Sequence, residues 1–312
     1  MDVLPIQTEG ACLPEQTCFV VLVHTAEEEW HARVLIESLR AFGGRLGGCP
    51  VWVFAPDDQA TPSTFHDMSG VQCLPLHIDD EFRHYFLADK VCACARAEDL
   101  AGPQVRSLVW LSPHGLVLRP PLLFDLVPRF EAAFRPVHIR NIGSLAGEPP
   151  DDYWRAVYET VGLDEPESTV ESFVDAQRLR PYFNSHVFSI DPSRRLLRSW
   201  LQFFQALLCD QQFQSRHCQD ERHQVFLHQA VLSALLTKWV REERLRLLPP
   251  EYSYPLHLHS RVPQARRPHS LNALVCPVYE EAFRYPETLN GLEVHEPLRS
   301  WLMQRLAVRA DF

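Results

Sequence analysis

Four polar groups in this sequence follow short apolar runs, where strands would end. They are His24-Thr25, Asp57-Asp58, Asp79-Asp80-Glu81 and Ser112-Pro113-His114. Ligands of parallel α/β sheets bind beyond the carboxyl ends of the strands, so these groups are the first binding candidates. Lys90 is one of only two lysines, the other being Lys238. Any phosphate site must therefore use arginine, backbone N–H groups or one of those two ammonium groups. His257 and His259 have His-x-His spacing, which would put both rings on one side of an extended strand. Together with His114 they offer enough imidazole nitrogen for a Mn²⁺ or Zn²⁺ site if they converge. Asp151-Asp152-Tyr153-Trp154 sets two carboxylates beside two aromatic rings. Such a group suits sugar hydroxyls and sugar faces, and an Asp there could act as general base toward an acceptor hydroxyl.

Each candidate also has a plain structural reading. Thr25 can simply cap a helix, and Asp57-Asp58 can be a solvated turn. Asp151 and Asp152 can be acids at a helix N-terminus. Lys90 can lay its stem on apolar surface and keep its head in water. The histidines can be locally hydrogen-bonded. Cys92 and Cys94 would sit two apart on a helix, so their thiols face different ways and make a poor metal pair.

The first half alternates short apolar runs with helical patterns, an α/β signature. Cys18 to His24 reads as a buried strand, central in a parallel sheet. Thr25 and Glu28 have capping-box spacing, and Val34, Leu35, Leu39 and Phe42 continue at helical spacing to Gly43-Gly44. Further strands are expected at Val51–Phe54, Val71–Ile78, Ser107–Leu111, Arg135–Arg140 and Phe183–Ile190. Helices are expected over Tyr85–Leu100, Asp151–Val161 and Glu221–Val240, with another opened by Asp191-Pro192. Asp164–Arg180 reads as a loop with a helical turn, and Leu247–His259 as extended and proline-punctuated. No flexible linker interrupts the pattern. The expected division is an N-terminal extension, 1–17, one domain, 18–260, and a C-terminal extension packing on it, 261–312.

Composition narrows the function. The 312 residues carry 46% hydrophobic and 22% charged side chains, a globular balance. A net charge of −10 argues against nucleic-acid binding, which relies on neutralising phosphates, and against adsorption to anionic membranes. Nine scattered cysteines without a CxxC fit free thiols in a reducing cytoplasm. Met1–Glu15 has no basic segment or long apolar run, so it does not read as a signal peptide, and no stretch approaches the roughly 18 apolar residues of a membrane span. The expected location is cytoplasmic, and the oligomeric state is open. GxGxxG, GxxxxGK[ST], HExxH, GxSxG and DxD are all absent.

The order of elements resembles the GT-A type nucleotide-diphospho-sugar transferases. The resemblance rests on the Asp89-Lys90 pair of the second helix and the strand-then-polar-triplet segment Ser107–Leu118. It rests also on Tyr182-Phe-Asn-Ser-His-Val-Phe188, the helix bearing His228-Gln229, and Leu248–His257. It covers about Phe19 to His259. Ser112 and His114 stand where many of these enzymes place the two carboxylates of Asp-x-Asp, and His186 stands where glycine is usual. The resemblance implies a GT-A-like single α/β domain, with a mostly parallel central sheet flanked by helices and an elaborated C-terminal half. It implies a nucleotide-sugar co-substrate and an unidentified acceptor. His24, Thr25 and Asp57 would touch the nucleotide, Lys90 the diphosphate, and Asn184, Ser185 and Gln229 the sugar or acceptor hydroxyls. Ser112 and His114 would occupy the former metal position. With both carboxylates replaced, a Mg²⁺ site loses its preferred ligands. Transfer without a metal is one outcome, and Mn²⁺ held by imidazoles is the other.

Two other readings stay open. A non-catalytic protein on the same scaffold would bind a nucleotide, sugar or partner protein, and the absent Asp-x-Asp supports it. A histidine-rich metal hydrolase has only loosely spaced histidines behind it.

Overall fold

The computed structural model describes residues 16–58, 62–279 and 291–306, so Met1–Glu15, discussed above, lies outside them. Its centre is a seven-stranded sheet. In chain order the strands are β1 (Thr17–Leu22), β2 (Val51–Pro56), β3 (Val71–Leu76), β4 (Ser107–Leu111), β5 (Ala132–Pro136), β8 (Phe183–Ile190) and β9 (Leu245–Leu247), arranged β3-β2-β1-β4-β8-β5-β9. Two further pairs lie outside it, β6 (Val170–Glu171) with β7 (Arg178–Leu179) and β10 (Tyr252–Pro255) with β11 (Cys276–Val278). Within the main sheet only β8 runs against its neighbours, β4 and β5. The result is a mostly parallel α/β sheet in a single domain, consistent with a GT-A-like arrangement. β1 is buried at every residue and lies between β2 and β4, as its unbroken apolar run requires.

Alternation along β1 feeds two cores. Phe19 and Val21 join Leu35 and Leu39 of helix α1 (Ala26–Phe42). Val20 and Leu22 face the other layer, built from α2 (Ala88–Leu100), α3 (Asp152–Val161), α4 (Leu196–Cys209) and α6 (Glu221–Trp239). The short α5 (Gln211–His217) follows α4. A third cluster packs Val34, Leu116 and Leu118 against Tyr254, Leu271, Leu274, Tyr279, Leu298 and Leu302. The later part of the chain therefore covers the outer side of α1 and the segment after β4.

Several local expectations need correction. The 164–180 stretch forms the β6–β7 ladder instead of a loop with a helical turn. β5 covers Ala132–Pro136 rather than Arg135–Arg140, and its register against β8 shifts between Ala133 and Arg135. The second helix starts at Ala88 rather than Tyr85, because Leu87 sits at φ 59, which a right-handed helix cannot contain. Asp191-Pro192 opens only a 3₁₀ turn, and α4 begins at Leu196 after Arg195, at φ 58. His257 and His259 lie on a 3₁₀ helix, Leu256–Arg261, not on an extended strand. At three residues per turn, positions two apart point in different directions. Among the described residues no helix is long and apolar enough to cross a membrane.

Candidate functional site

The carboxyl ends of β1, β4 and β5 and the start of β8 lie along one edge of the sheet. Ser112 N–H donates to the His186 carbonyl at 3.0 Å, which pins the triplet after β4 to the start of β8. The N-terminus of α2 brings Asp89 and Lys90 to the same edge.

Lys90 is 8% exposed. Its ammonium donates to the Ser185 carbonyl and, at 2.9 Å, to Ser185 Oγ, and it lies 5.5 Å from the centre of the Trp110 ring. Ser185 Oγ lies 2.9 Å from His228 Nε2. His228 Nδ1 faces the Val225 carbonyl at 2.8 Å, so Nδ1 carries the proton and Nε2 accepts from the Ser185 hydroxyl. Gln229 Oε1 stands 3.5 Å from the same hydroxyl. Burial lowers Lys90 to about 8, so it stays largely protonated at neutral pH. Burial, then the charge of Lys90, pushes His228 well below its ordinary range, and the ring is neutral.

A second network starts from the residue beside Lys90. Asp89 ion-pairs with His24 Nε2, and Glu28 Oε2 accepts from His24 Nδ1 at 2.9 Å and from the His24 backbone N–H at 2.7 Å. Hydrogen bonds to Asp89 and then Glu28 raise His24 to about 10, so it is an imidazolium clamped between two carboxylates. Glu28 also lies 3.5 Å from His114 Nε2, and His114 Nδ1 lies 3.3 Å from His31 Nδ1. Burial works against the charge of Glu28, but the contacts from His114 and His24 outweigh it and hold the carboxyl well below its usual range.

His186, on β8, and His138, just past β5, adjoin these networks. Their rings stack with centroids 6.2 Å apart. Burial, then Lys90, His257 and His114, lowers His186 to about 3. Burial, then Arg135, His186 and His257, puts His138 well below its ordinary range. Both rings are neutral, and neither His138 nitrogen has a hydrogen-bond partner among the described residues. A buried cation, an imidazolium and several neutral imidazoles thus share one edge.

The sequence-derived candidates divide accordingly. Lys90, Ser185 and Gln229 come together with His228, and His24 and His114 come together through Glu28. Asn184 is buried, and its Oδ1 accepts from the His186 N–H at 2.7 Å. Lys90, Asn184, Ser185 and Gln229 are therefore internal polar groups that hold the start of β8. Thr25 is exposed, and its Oγ1 accepts from the Glu28 N–H at 3.2 Å, the cap reading. Asp57 stands apart, accepting from His77 at 2.7 Å and lying 3.7 Å from Arg83. Asp151 caps α3, accepting from the Trp154 N–H at 2.9 Å, and exposed Asp152 pairs with Arg155. Among the described residues neither Asp is hydrogen-bonded to the Lys90 group. His257 neighbours His186 and His138 electrostatically, while His259 Nδ1 meets the Tyr254 hydroxyl at 2.9 Å. Among the described residues no three His, Cys, Asp or Glu side chains are arranged to hold a metal ion.

Sequence reasoning passed over Glu28 as a cap, named Asp89 only as the neighbour of Lys90, and left His31, Arg135 and His138 without roles. Glu28 did carry a signal, since a capping-box acid beside a strand-terminal His faces the ligand edge. The other four are joined only through tertiary contacts.

Residues 19–239 match the model of a family described as Rhodobacterales glycosyltransferase domain. No curated protein matches the chain.

Proposed function

We propose, on the premise that this chain belongs to the Rhodobacterales glycosyltransferase domain family, that it transfers a sugar from a nucleotide-activated donor on a GT-A scaffold. The observation that carries the reading is the Asp89-Lys90 hub, which joins the two polar networks at the carboxyl edge of the sheet. Donor sugars bound there would face His186, His114 and the Ser112 turn, with the positive charges of Lys90 and His24 behind them. In the reaction the acceptor oxygen bonds to the anomeric carbon, the bond from that carbon to the diphosphate breaks, and the acceptor hydroxyl proton passes to a base. Fixed positive charge near the departing diphosphate stabilises the transition state.

The same site supports transfer without a metal. Ser112 and His114 bring no carboxylate to the Asp-x-Asp position, and the carboxylates present, Glu28 and Asp89, are committed to imidazoles. The residues present do not fit a hard divalent ion, and no step is routed through one. Asp151 is assigned to helix capping and not to catalysis. A cytoplasmic location and the 18–260 domain boundary belong to this proposal.

A binding-only role is the second reading, favoured by the burial of Lys90, Asn184, Ser185 and Gln229. Thermal melting with UDP-, GDP-, dTDP- and CMP-sugars, each with Mn²⁺ and with EDTA, separates the readings when paired with nucleotide-release assays. We expect one nucleotide class to raise the melting temperature equally in EDTA and Mn²⁺, since a ligand binding only the native state must stabilise it. Lys90→Met should weaken that binding at least about ten-fold, a loss typical of one charged contact. Binding without sugar release in the presence of candidate acceptors would favour the second reading. No shift with any donor would end the first.

A further inference from the structure

Arg135 lies on β5, opposite Asn184 of β8 and just past the register shift. Bulges of this kind re-aim side chains. Its side chain is 3% exposed, yet among the described residues neither Nε nor Nη2 has a hydrogen-bond partner. These two nitrogens form the side edge of the guanidinium, whose parallel N–H bonds match the two oxygens of a carboxylate or phosphate. The Phe173 ring covers one face of the group, its centre 4.6 Å from the central carbon. Burial lowers Arg135 to about 10, so it remains charged at neutral pH. A buried cation without paired acceptors is costly and calls for a counter-ion.

Arg135 also lines a cleft of about 530 Å³, together with Glu171, Ser172, Phe173, Glu251 and Arg266 among others. That volume suits a small organic ligand. Arg266 is half-committed, donating to Glu171 at 2.8 Å and to the Phe173 carbonyl at 3.2 Å. Glu251 lies in the electrostatic field of Arg135. The cleft is thus lined by Arg135, whose buried guanidinium edge is unpaired among the described residues, by carboxylates able to accept hydrogen bonds from sugar hydroxyls, and by an aromatic ring. Arg135 stands near the carboxyl end of β5 and acts electrostatically on His138, whose ring stacks with His186, so the cleft adjoins the proposed donor edge.

We infer that this cleft is the acceptor site and that Arg135 holds an oxyanion, a carboxylate or a phosphate, carried by a hydroxylated acceptor. The inference deepens the transferase reading and rests on it for the word acceptor, though the anion site itself stands on Arg135. No covalent step is assigned to Arg135, which is a specificity residue.

The test titrates the full chain with glucuronate, glucose 6-phosphate, inorganic phosphate and glucose, read by calorimetry and thermal melting. Saturable binding of a charged sugar, with none of glucose, is expected. Glucuronate alone would identify a carboxylate acceptor, and glucose 6-phosphate or inorganic phosphate a phosphate one. Arg135→Gln should lose at least about ten-fold in that affinity, and Arg135→Lys should also lose, because an ammonium lacks the fork. The Arg135 Nε–H resonance in the unaltered chain should move with the same titration, which keeps the test decisive if a variant does not fold. Unchanged binding in both folded variants, or no binding of any anion, overturns the proposal. Loss of nucleotide-sugar and anion binding together in Arg135→Gln would move Arg135 to the donor diphosphate and overturn the acceptor assignment. Anion binding that needs Arg135, in a chain that binds no nucleotide-sugar, would leave the cleft standing and remove the donor reading alone.

Discussion

His24 shows how one side chain can set the pH response of the sheet edge. Its folded value lies near 10 against an ordinary 6.5, so the native state binds its proton more tightly than the unfolded chain. Stability from His24 is therefore complete below about 6.5 and is lost as pH rises toward 10. Glu28 works in the opposite sense. Its value is lowered, so its contribution is present above its ordinary value of 4.5 and lost as pH falls through its depressed one. The clamp is strongest between these limits. All three side chains are about a quarter to a third exposed, so solvent screening softens the effect. His24→Asn should flatten the fall in melting temperature between pH 6.5 and 9.5, the range its shift covers. An unchanged slope would place the origin elsewhere. Under the proposed function, donor affinity should follow the same fall, because the imidazolium would supply charge beside the donor.

Helices place these residues, and their ends decide which acids are free to react. Glu98, on α2, accepts from the backbone N–H groups of Leu197 at 3.1 Å and Arg198 at 2.8 Å. α2 thereby caps α4, and burial raises that carboxyl to about 7. The anchor fixes α2, and with it the Asp89-Lys90 hub. At α3, Asp151 is the N-cap, and the helix ends at Gly162 in the left-handed region with φ 66. Asp151→Ala should cost about 1 kcal/mol of stability, as lost caps do, with transfer unchanged at temperatures where both forms are folded. Asp151→Asn keeps a capping oxygen and should lose less. A folded Asp151→Asn chain with abolished transfer would restore Asp151 as the base. The strands and caps of this layer were readable because their signals are local. β4 and β8 run over the predicted residues, and Thr25 caps α1 as its spacing indicated. The β6–β7 ladder was not readable, since two-residue strands carry no periodicity.

Across the whole molecule, the legible part was the order of elements, and the illegible part was which side chains meet. The Asp89-Lys90 pair and His228-Gln229 stood out as text, yet their partnership through Ser185 depends on β8 lying beside β4. Arg135 carried no sequence signal, because its isolation comes from a register shift and a phenylalanine more than thirty residues away. The same dependence on distant chain governs the segment after residue 260. Tyr279 N–H donates to the His114 carbonyl at 2.7 Å, and Leu118 N–H to the Val275 carbonyl at 2.9 Å. Leu271, Leu274 and Leu302 cover Val34 and Leu116, while Trp301 packs on Phe42 with centroids 5.4 Å apart. A chain ending at Ser260 would expose that apolar face of α1 and free the turn carrying Ser112 and His114. Each large apolar side chain uncovered forfeits about 1.5–3 kcal/mol, so several together exceed the margin of an ordinary domain. The shortened chain should melt well below the full one, or fail to fold, and limited proteolysis should cut it within 112–118. Equal melting temperatures and equal protection of that segment would show that residues after 260 are an accessory, and that the polar edge is built by the first 260 alone.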